Sequence, residues 1–191
     1  MPWDEPTLVA GLQSGDEAAY RELIRCYRDK LYRIAYGITL DEEESRDIIQ
    51  DVFLLVFRKI SKFKGESKLT TWLHRITVNQ CLNLKRRWKR RFRRFHHSIE
   101  TDDAGESLLP ESEDYQAETL YRRKEVEEAY RNALRTLPEE ARIVYVLKEI
   151  EGLTYEEIGR ALGILKGTVS SRLFHARRCL KVALEPYRRI K

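Results

Sequence analysis

Strand patterns are what this sequence most plainly lacks. Nowhere in its 191 residues does polar–apolar alternation run into a Gly-centred turn, which excludes hairpin-built sheets and leaves an all-α chain. Cysteine is scarce as well. Cys26, Cys81 and Cys179 are odd in number and far apart, which excludes a disulfide framework and the paired spacing of a zinc site. Cys26 and Cys81 read as small core residues. No apolar run approaches the roughly 20 residues needed to cross a bilayer, and the opening Met-Pro-Trp-Asp-Glu has neither the basic region nor the apolar core of a signal peptide. No stable membrane insertion is expected, and the chain reads as soluble and cytoplasmic. Catalytic groups are missing too: no Ser or Cys nucleophile has a positioned base, and no cofactor, metal or small-molecule substrate is expected. Glu43, Asp47 and Asp51 do share a helix face at i, i+4 and i+8, as a metal-dependent nuclease would require, but acids on one face are ordinarily a solvated side.

What the chain does have is charge, unevenly placed. A net charge of +5 and a pI near 9.1 favour an anionic partner. From Lys85 to Arg94 it reads Lys-Arg-Arg-Trp-Lys-Arg-Arg-Phe-Arg-Arg, whereas Glu100 to Asp114 holds seven acids and no base. That switch marks a boundary. Gly105, Pro110 and the dense acid make residues 96–119 a flexible linker, with one small helical domain over residues 1–95 and another over 120–191.

In the first part, Ser14-Gly-Asp-Glu17 has capping-box spacing, and Tyr20, Leu23, Ile24, Tyr27, Leu31, Ile34 and Ala35 follow at helical intervals, predicting a long helix to about Gly37. Asp41 to Glu44 favour the positive end of the next helix, whose apolar stripe is Ile48, Ile49, Val52, Phe53, Val56 and Phe57. Its other face shows Asp47, Gln50 and Asp51. Residues 63–69 break the pattern as a loop, and a third helix turns Trp72, Leu73, Ile76 and Cys81 inward, leaving His74, Arg75, Asn79 and Asn83 outside.

The second part resumes near Glu118, runs to Leu137-Pro138, and continues through a helix over Glu139 to Glu149 with Ile143, Val144, Val146 and Leu147 inward. Thr154-x-x-Glu157 is a capping box for a helix from Tyr155, with Leu153 stapled onto Ile158 and Gly163 as the left-handed stop. A second helix restarts near Gly167. On its wheel Val169, Leu173, Ala176 and Leu180 face the first helix, while Ser170, Ser171, Phe174, His175 and Arg178 face away. This is the helix-turn-helix pattern, although an amphipathic helical hairpin shares it. In the DNA reading, Lys166 and Thr168 hold phosphates, and Ser171, His175 and Arg178 reach base edges.

Leu137-Pro-x-x-x-Arg142, Leu153-Thr-x-x-Glu157-Ile-Gly and Gly167-Thr-Val-x-Ser171-Arg-Leu-x-x-Ala176-Arg resemble region four of the extracytoplasmic-function sigma factors, a group of the sigma-70 family. Asp47-x-x-Gln50-Asp-x-Phe53 and Trp72-Leu-x-Arg75-Ile-x-x-Asn79 resemble its region two. The resemblance implies a bacterial transcription initiation factor, not an enzyme, that places core RNA polymerase on promoter DNA. It implies that Asp47, Gln50, Asp51 and Phe53 dock on the clamp helices of the largest polymerase subunit, with the second domain meeting the β flap. Phe63, Lys64, Ser67 and Lys68 match the loop that captures a flipped −10 base. Trp72, Asn79 and Asn83 match the adjoining helix, although Trp72 also suits the core, and Arg86 and Arg87 begin the basic run that meets phosphates. Lys166, Thr168, Ser170, Ser171, Arg172, Phe174, His175 and Arg178 match the −35 reader, with Arg172 and Arg177 suited to phosphates or to the protein itself. An anti-sigma factor is the implied inhibitor. The other reading of the residues is a stand-alone helix-turn-helix regulator. Leu165 departs from the family by filling a turn position usually held by a small residue, so the second helix lacks a side-chain cap.

Overall fold

The structure, a computed structural model, describes residues 3–95 and 115–189. Helix α1 (Glu5–Ser14) starts where the Asp4 carboxylate accepts from the Thr7 amide at 3.0 Å. The sequence reading has no helix here, and its Ser14–Glu17 capping box does not form. Gly15, at φ 82°, ends α1, so Ser14 becomes a last-turn residue whose hydroxyl donates to the Gly11 carbonyl, and Asp16 caps the next helix instead.

Helix α2 (Glu17–Thr39) buries Ala19, Leu23, Leu31, Ile34, Ala35 and Ile38. It runs past Gly37 because Leu40, at φ 61°, is the left-handed residue that stops it. Cys26, expected in the core, is exposed on the opposite face, with its thiol donating to Glu22. Helix α3 (Glu42–Lys59) is capped by Asp41, which accepts from the Glu44 amide at 2.8 Å. After a 3-10 turn (Ile60–Lys62) and a loop comes α4 (Leu69–Phe95).

Of the linker expected over 96–119, residues 96–114 lie outside the described residues, and 115–119 open helix α5 (Tyr115–Thr136). Helix α6 (Glu139–Tyr145) continues into a π turn (Val146–Ile150), then α7 (Tyr155–Leu162), α8 (Lys166–Ala183) and a 3-10 turn (Glu185–Arg189). No strand occurs among the described residues.

Both halves are helical, as expected, but they also share a core. The cluster built by Leu23, Leu31, Ile34, Val52, Val56 and Leu73 continues into Ile143, Val144, Leu147, Ile158, Val169 and Leu173. A second cluster inserts Leu40 among Leu134, Leu137, Ala141, Ala176 and Leu180. Helix α2 meets the π turn so closely that a Cβ on Gly37 would lie 2.8 Å from one Val146 methyl and 3.0 Å from the other. Glycine is required there by proximity. Val146 is fully buried, which contributes roughly 1.5–3 kcal/mol relative to an exposed side chain.

Candidate nucleic-acid interface

The turn between α7 and α8 forms as its residues dictate. Thr154 Oγ1 accepts from the Glu157 amide at 3.2 Å, and the Glu157 carboxylate accepts from the Thr154 amide and hydroxyl, each at 2.9 Å. The Thr154 amide, first, and then its hydroxyl hold the Glu157 carboxyl below the usual carboxylate range. Leu153 and Ile158 are buried in one cluster, and Gly163 ends α7 at φ 67°. Helix α8 begins at Lys166 behind Leu165, which caps with backbone only and is 80% exposed.

Helix α8 divides as its wheel predicts. Val169, Leu173, Ala176 and Leu180 are buried, and Ser170, Ser171, Phe174, His175 and Arg178 are exposed. Thr168 is half-buried. Its cations separate by role. Arg172 pairs with Glu140 at 3.3 Å, fixing α8 on α6, and Arg177 pairs with Glu149. Lys166 pairs with Glu156, which raises the ammonium pKa. Arg178 has no ion pair among the described residues and stands on the outward face with Ser171 and His175. Arg142 of the Leu137-Pro motif is buried and donates to the Leu134 carbonyl at 3.2 Å, tying α6 to the end of α5.

In the first half, a cavity of about 390 Å³ lies under the loop after the 3-10 turn. Phe63, Lys64, Ser67 and Trp72 line it, so the structure brings these four together. Phe63 and Trp72 meet ring to ring at 5.2 Å and 49°. Trp72 is both core and wall, half-buried below and open to the cavity above. Arg160 of α7 also lines this cavity, a residue that sequence reasoning missed because the contact spans the two halves. Lys68 points elsewhere, into a cleft shared with His74.

Asn79 is exposed farther along α4, but Asn83 is not gathered with the loop. It lies in an acidic groove of about 520 Å³ with Asp41, Glu43, Glu44, Asp47 and Asp51. No metal-holding group of three His, Cys, Asp or Glu exists among the described residues. Arg86 is exposed, whereas the Arg87 side chain lies outside the described residues.

On α3, Asp47, Gln50 and Asp51 are exposed and Phe53 is half-buried against the core. Phe57, expected inward, is 63% exposed, and Leu54 stands beside it at 54%. The apolar stripe is wider than α2 and α4 can cover, so Phe57 is left at the edge against the Tyr20 ring, 5.2 Å away. His74 is the reverse correction. Expected outside, it is 3% exposed because α7 packs over α4 at that point. Neither ring nitrogen has a hydrogen-bond partner.

A helix-turn-helix whose second helix leaves its polar and basic face exposed, joined to a helical unit with an aromatic-lined cavity and an exposed acidic–apolar face on α3, defines a two-part all-helical protein of the helix-turn-helix class. The family comparisons agree with that class. The model for sigma-70 region 2 matches residues 23–92, and that for sigma-70 region 4 matches residues 127–180. The chain is 37% identical over 184 residues to the ECF RNA polymerase sigma factor SigE of Mycolicibacterium smegmatis, covering 94% of this chain and 68% of the relative. It is 33% identical to the RNA polymerase sigma-H factor of Pseudomonas aeruginosa, covering 94% and 93%, and 30% identical to the ECF RNA polymerase sigma-E factor of Escherichia coli K12, covering 95% of each. Among solved structures, CnrH in complex with the cytosolic domain of CnrY has a TM-score of 0.66 at 22% identity, covering 95% of this chain and 97% of that one. The sigma factor RpoE in complex with the anti-sigma factor NepR from Bartonella quintana has a TM-score of 0.68 at 22% identity, covering 87% and 96%. The chain belongs to the extracytoplasmic-function sigma factors of the sigma-70 family. It is a transcription initiation factor and not an enzyme or a stand-alone regulator.

Proposed function

We propose that this factor binds core RNA polymerase through α3, reads the −10 element with the first half and reads the −35 element with α8. The observation that carries the reading is α8 itself. One face is sealed against α6 and α7, and the other presents Ser170, Ser171, Phe174, His175 and Arg178 to solvent at the spacing a major groove accepts. Lys166, Thr168 and Arg172 flank that face as phosphate contacts, with Lys166 exchanging Glu156 for DNA. Phe63, Lys64, Ser67 and Trp72 serve the flipped −10 base, for which an aromatic cavity offsets the stacking lost on melting, and Lys68, outside that cavity, serves the neighbouring phosphates. Asn79, Asn83, Arg86 and Arg87 continue along α4 toward the DNA backbone. Asp47, Gln50, Asp51 and Phe53 form the polymerase contact with the clamp helices, and the second half meets the β flap. Working domains are residues 1–95 and 120–191, acting in the cytoplasm, where no helix of the described residues is long and apolar enough to cross a membrane. The NepR-bound neighbour supports control by an anti-sigma factor.

Run-off transcription with purified core polymerase tests the reading. Addition of the factor yields promoter-dependent transcripts, and absence of core binding at low salt would overturn it. Ser171→Ala and His175→Ala are expected to weaken binding to the native −35 sequence while leaving core affinity unchanged, measured by gel shift and by fluorescence titration of core. Loss of a base contact costs about 1–3 kcal/mol. Equal loss of core affinity in these variants would place the interface elsewhere.

A further inference from the structure

Helix α1 lies ahead of the region 2 match, which begins at residue 23, yet it holds both ends of the loop between the 3-10 turn and α4. At the near end the Gln13 side-chain amide donates to the Ile60 carbonyl at 3.2 Å and to the Phe63 carbonyl at 2.9 Å. At the far end the Glu5 carboxylate accepts from the Leu69 amide at 2.9 Å. Leu69 opens α4 and is fully buried. Its amide is one of the helix-start donors that need a partner from outside the helix, and a negative charge suits that positive end. Gln13 and Glu5 are eight residues apart, about 12 Å along α1, and so span the two anchor points of the loop.

The loop has little support of its own. Residues 64–67 make no backbone–backbone hydrogen bond among the described residues, and no atom lies within 4 Å of where a Cβ on Gly65 would stand. Its shape is set from outside, and α1 is fixed firmly enough to set it. Leu8 and Leu12 are buried in the core, and the Tyr20 hydroxyl donates to the Leu12 carbonyl at 3.2 Å. Helix α1 crosses α2 so closely that a Cβ on Gly11 would lie 2.8 Å from the Ala19 Cβ. The consequence for the cavity is direct. The carbonyl that Gln13 holds belongs to Phe63, whose ring stands against Trp72 in the cavity wall. A receiving surface ordered before its ligand arrives loses less freedom on binding, which raises affinity.

We propose that Gln13 and Glu5 are positioning residues of the −10 reader, and that α1 keeps the base-receiving loop preformed in the free factor. This rests on the base-capture assignment above. Neither residue lines the cavity. Both act through the backbone, Gln13 on Phe63 and Glu5 on Leu69.

Two measurements on the full-length protein test it. Hydrogen exchange in the free factor, read on the peptide covering residues 60–70, is expected to run about tenfold faster in Gln13→Leu and in Glu5→Leu, while exchange in α2 keeps its wild-type rate. Glu5→Gln retains an oxygen acceptor for the Leu69 amide and is expected to exchange as the wild type does. Unchanged loop exchange in the Leu variants overturns the proposal. Equal acceleration in α2 also overturns it, because that marks a general loss of stability. Should Gln13→Leu not fold, the Glu5 pair decides alone. In the second measurement, holoenzyme assembled on core polymerase is titrated with a single-stranded −10 oligonucleotide from a promoter it transcribes, intact or with abasic sites placed one at a time. The largest intact-to-abasic affinity ratio is expected to fall about tenfold in the Leu variants, to hold in Glu5→Gln, and to do so with core affinity unchanged. A wild-type ratio in variants whose loop exchanges faster overturns positioning. A ratio near one at every position in the wild type removes the base from the cavity instead, while the exchange rates still decide whether α1 holds the loop.

Discussion

Changing both Asp47 and Asp51 to Lys is expected to abolish polymerase binding while leaving the protein folded. Both carboxylates are exposed on α3, whose opposite face buries Ile48, Ile49, Val52 and Val56, so the substitutions remove no core contact. They also relieve crowding, because Asp41, Glu43 and Glu44 share the same groove. At the proposed interface the expected effect is large: on a basic partner surface each reversal would replace attraction by like-charge juxtaposition, which costs several kcal/mol. Two such reversals lower core affinity more than about a hundredfold, since every 1.4 kcal/mol is tenfold. Titration of labelled core measures the loss, and thermal unfolding checks the fold. Unchanged core affinity would remove α3 from the interface and leave the neighbouring Leu54 and Phe57 without a partner.

Acid is expected to weaken the fold through His74. Burial, first, and then the Lys30 charge push its pKa down from 6.5 to about 4, against a smaller opposing pull from Glu157. The groups around it are Lys30 on α2, Lys68 just before α4, Thr70 and Thr71 in the first turn of α4, Glu151 after the π turn and Glu157 on α7. The folded chain therefore keeps the imidazole neutral between pH 6.5 and about 4, where the unfolded chain binds a proton. Stability is fully present above that window, falls as pH drops through it and levels off below it. At 1.36 kcal/mol per unit the loss is on the order of 3 kcal/mol. Urea unfolding at a series of pH values is expected to show this slope in the wild type and a much flatter one in His74→Leu. Identical slopes would mean that His74 is hydrated and titrates freely.

How much of this was legible in the sequence depends on how local the cause is. The Thr154–Glu157 box, the Gly163 stop, the bare Leu165 cap and the two faces of α8 all follow from residues within a few positions of one another, and all appear where the spacing puts them. His74 and Phe57 defeated the same method for opposite reasons. A helical wheel says which residues share a side but not how much of that side a neighbour covers. The neighbour that buries His74 is α7, more than 80 residues later in the chain, and no neighbour extends far enough to bury Phe57. The missing α1 reflects a competition at Ser14: a hydroxyl that suits a cap was used by the helix ending there. Arg160 and Leu40, which connect the halves, carry no signal in their own segments at all.

The π turn gives the contact between the two halves its aim. In it the Glu151 amide reaches the Val146 carbonyl at 3.2 Å, five residues back instead of four. One surplus residue in a turn changes rotational phase by about 100°. Val146, which meets Gly37, and Glu151, which accepts from Arg33 at 2.8 Å, address the same flank of α2 only because of that offset. An uninterrupted α-helix of the same composition would keep both side chains and point them to different sides of the molecule. The grip between the halves is thus encoded by a miscount in the helix as much as by the identity of the residues that touch.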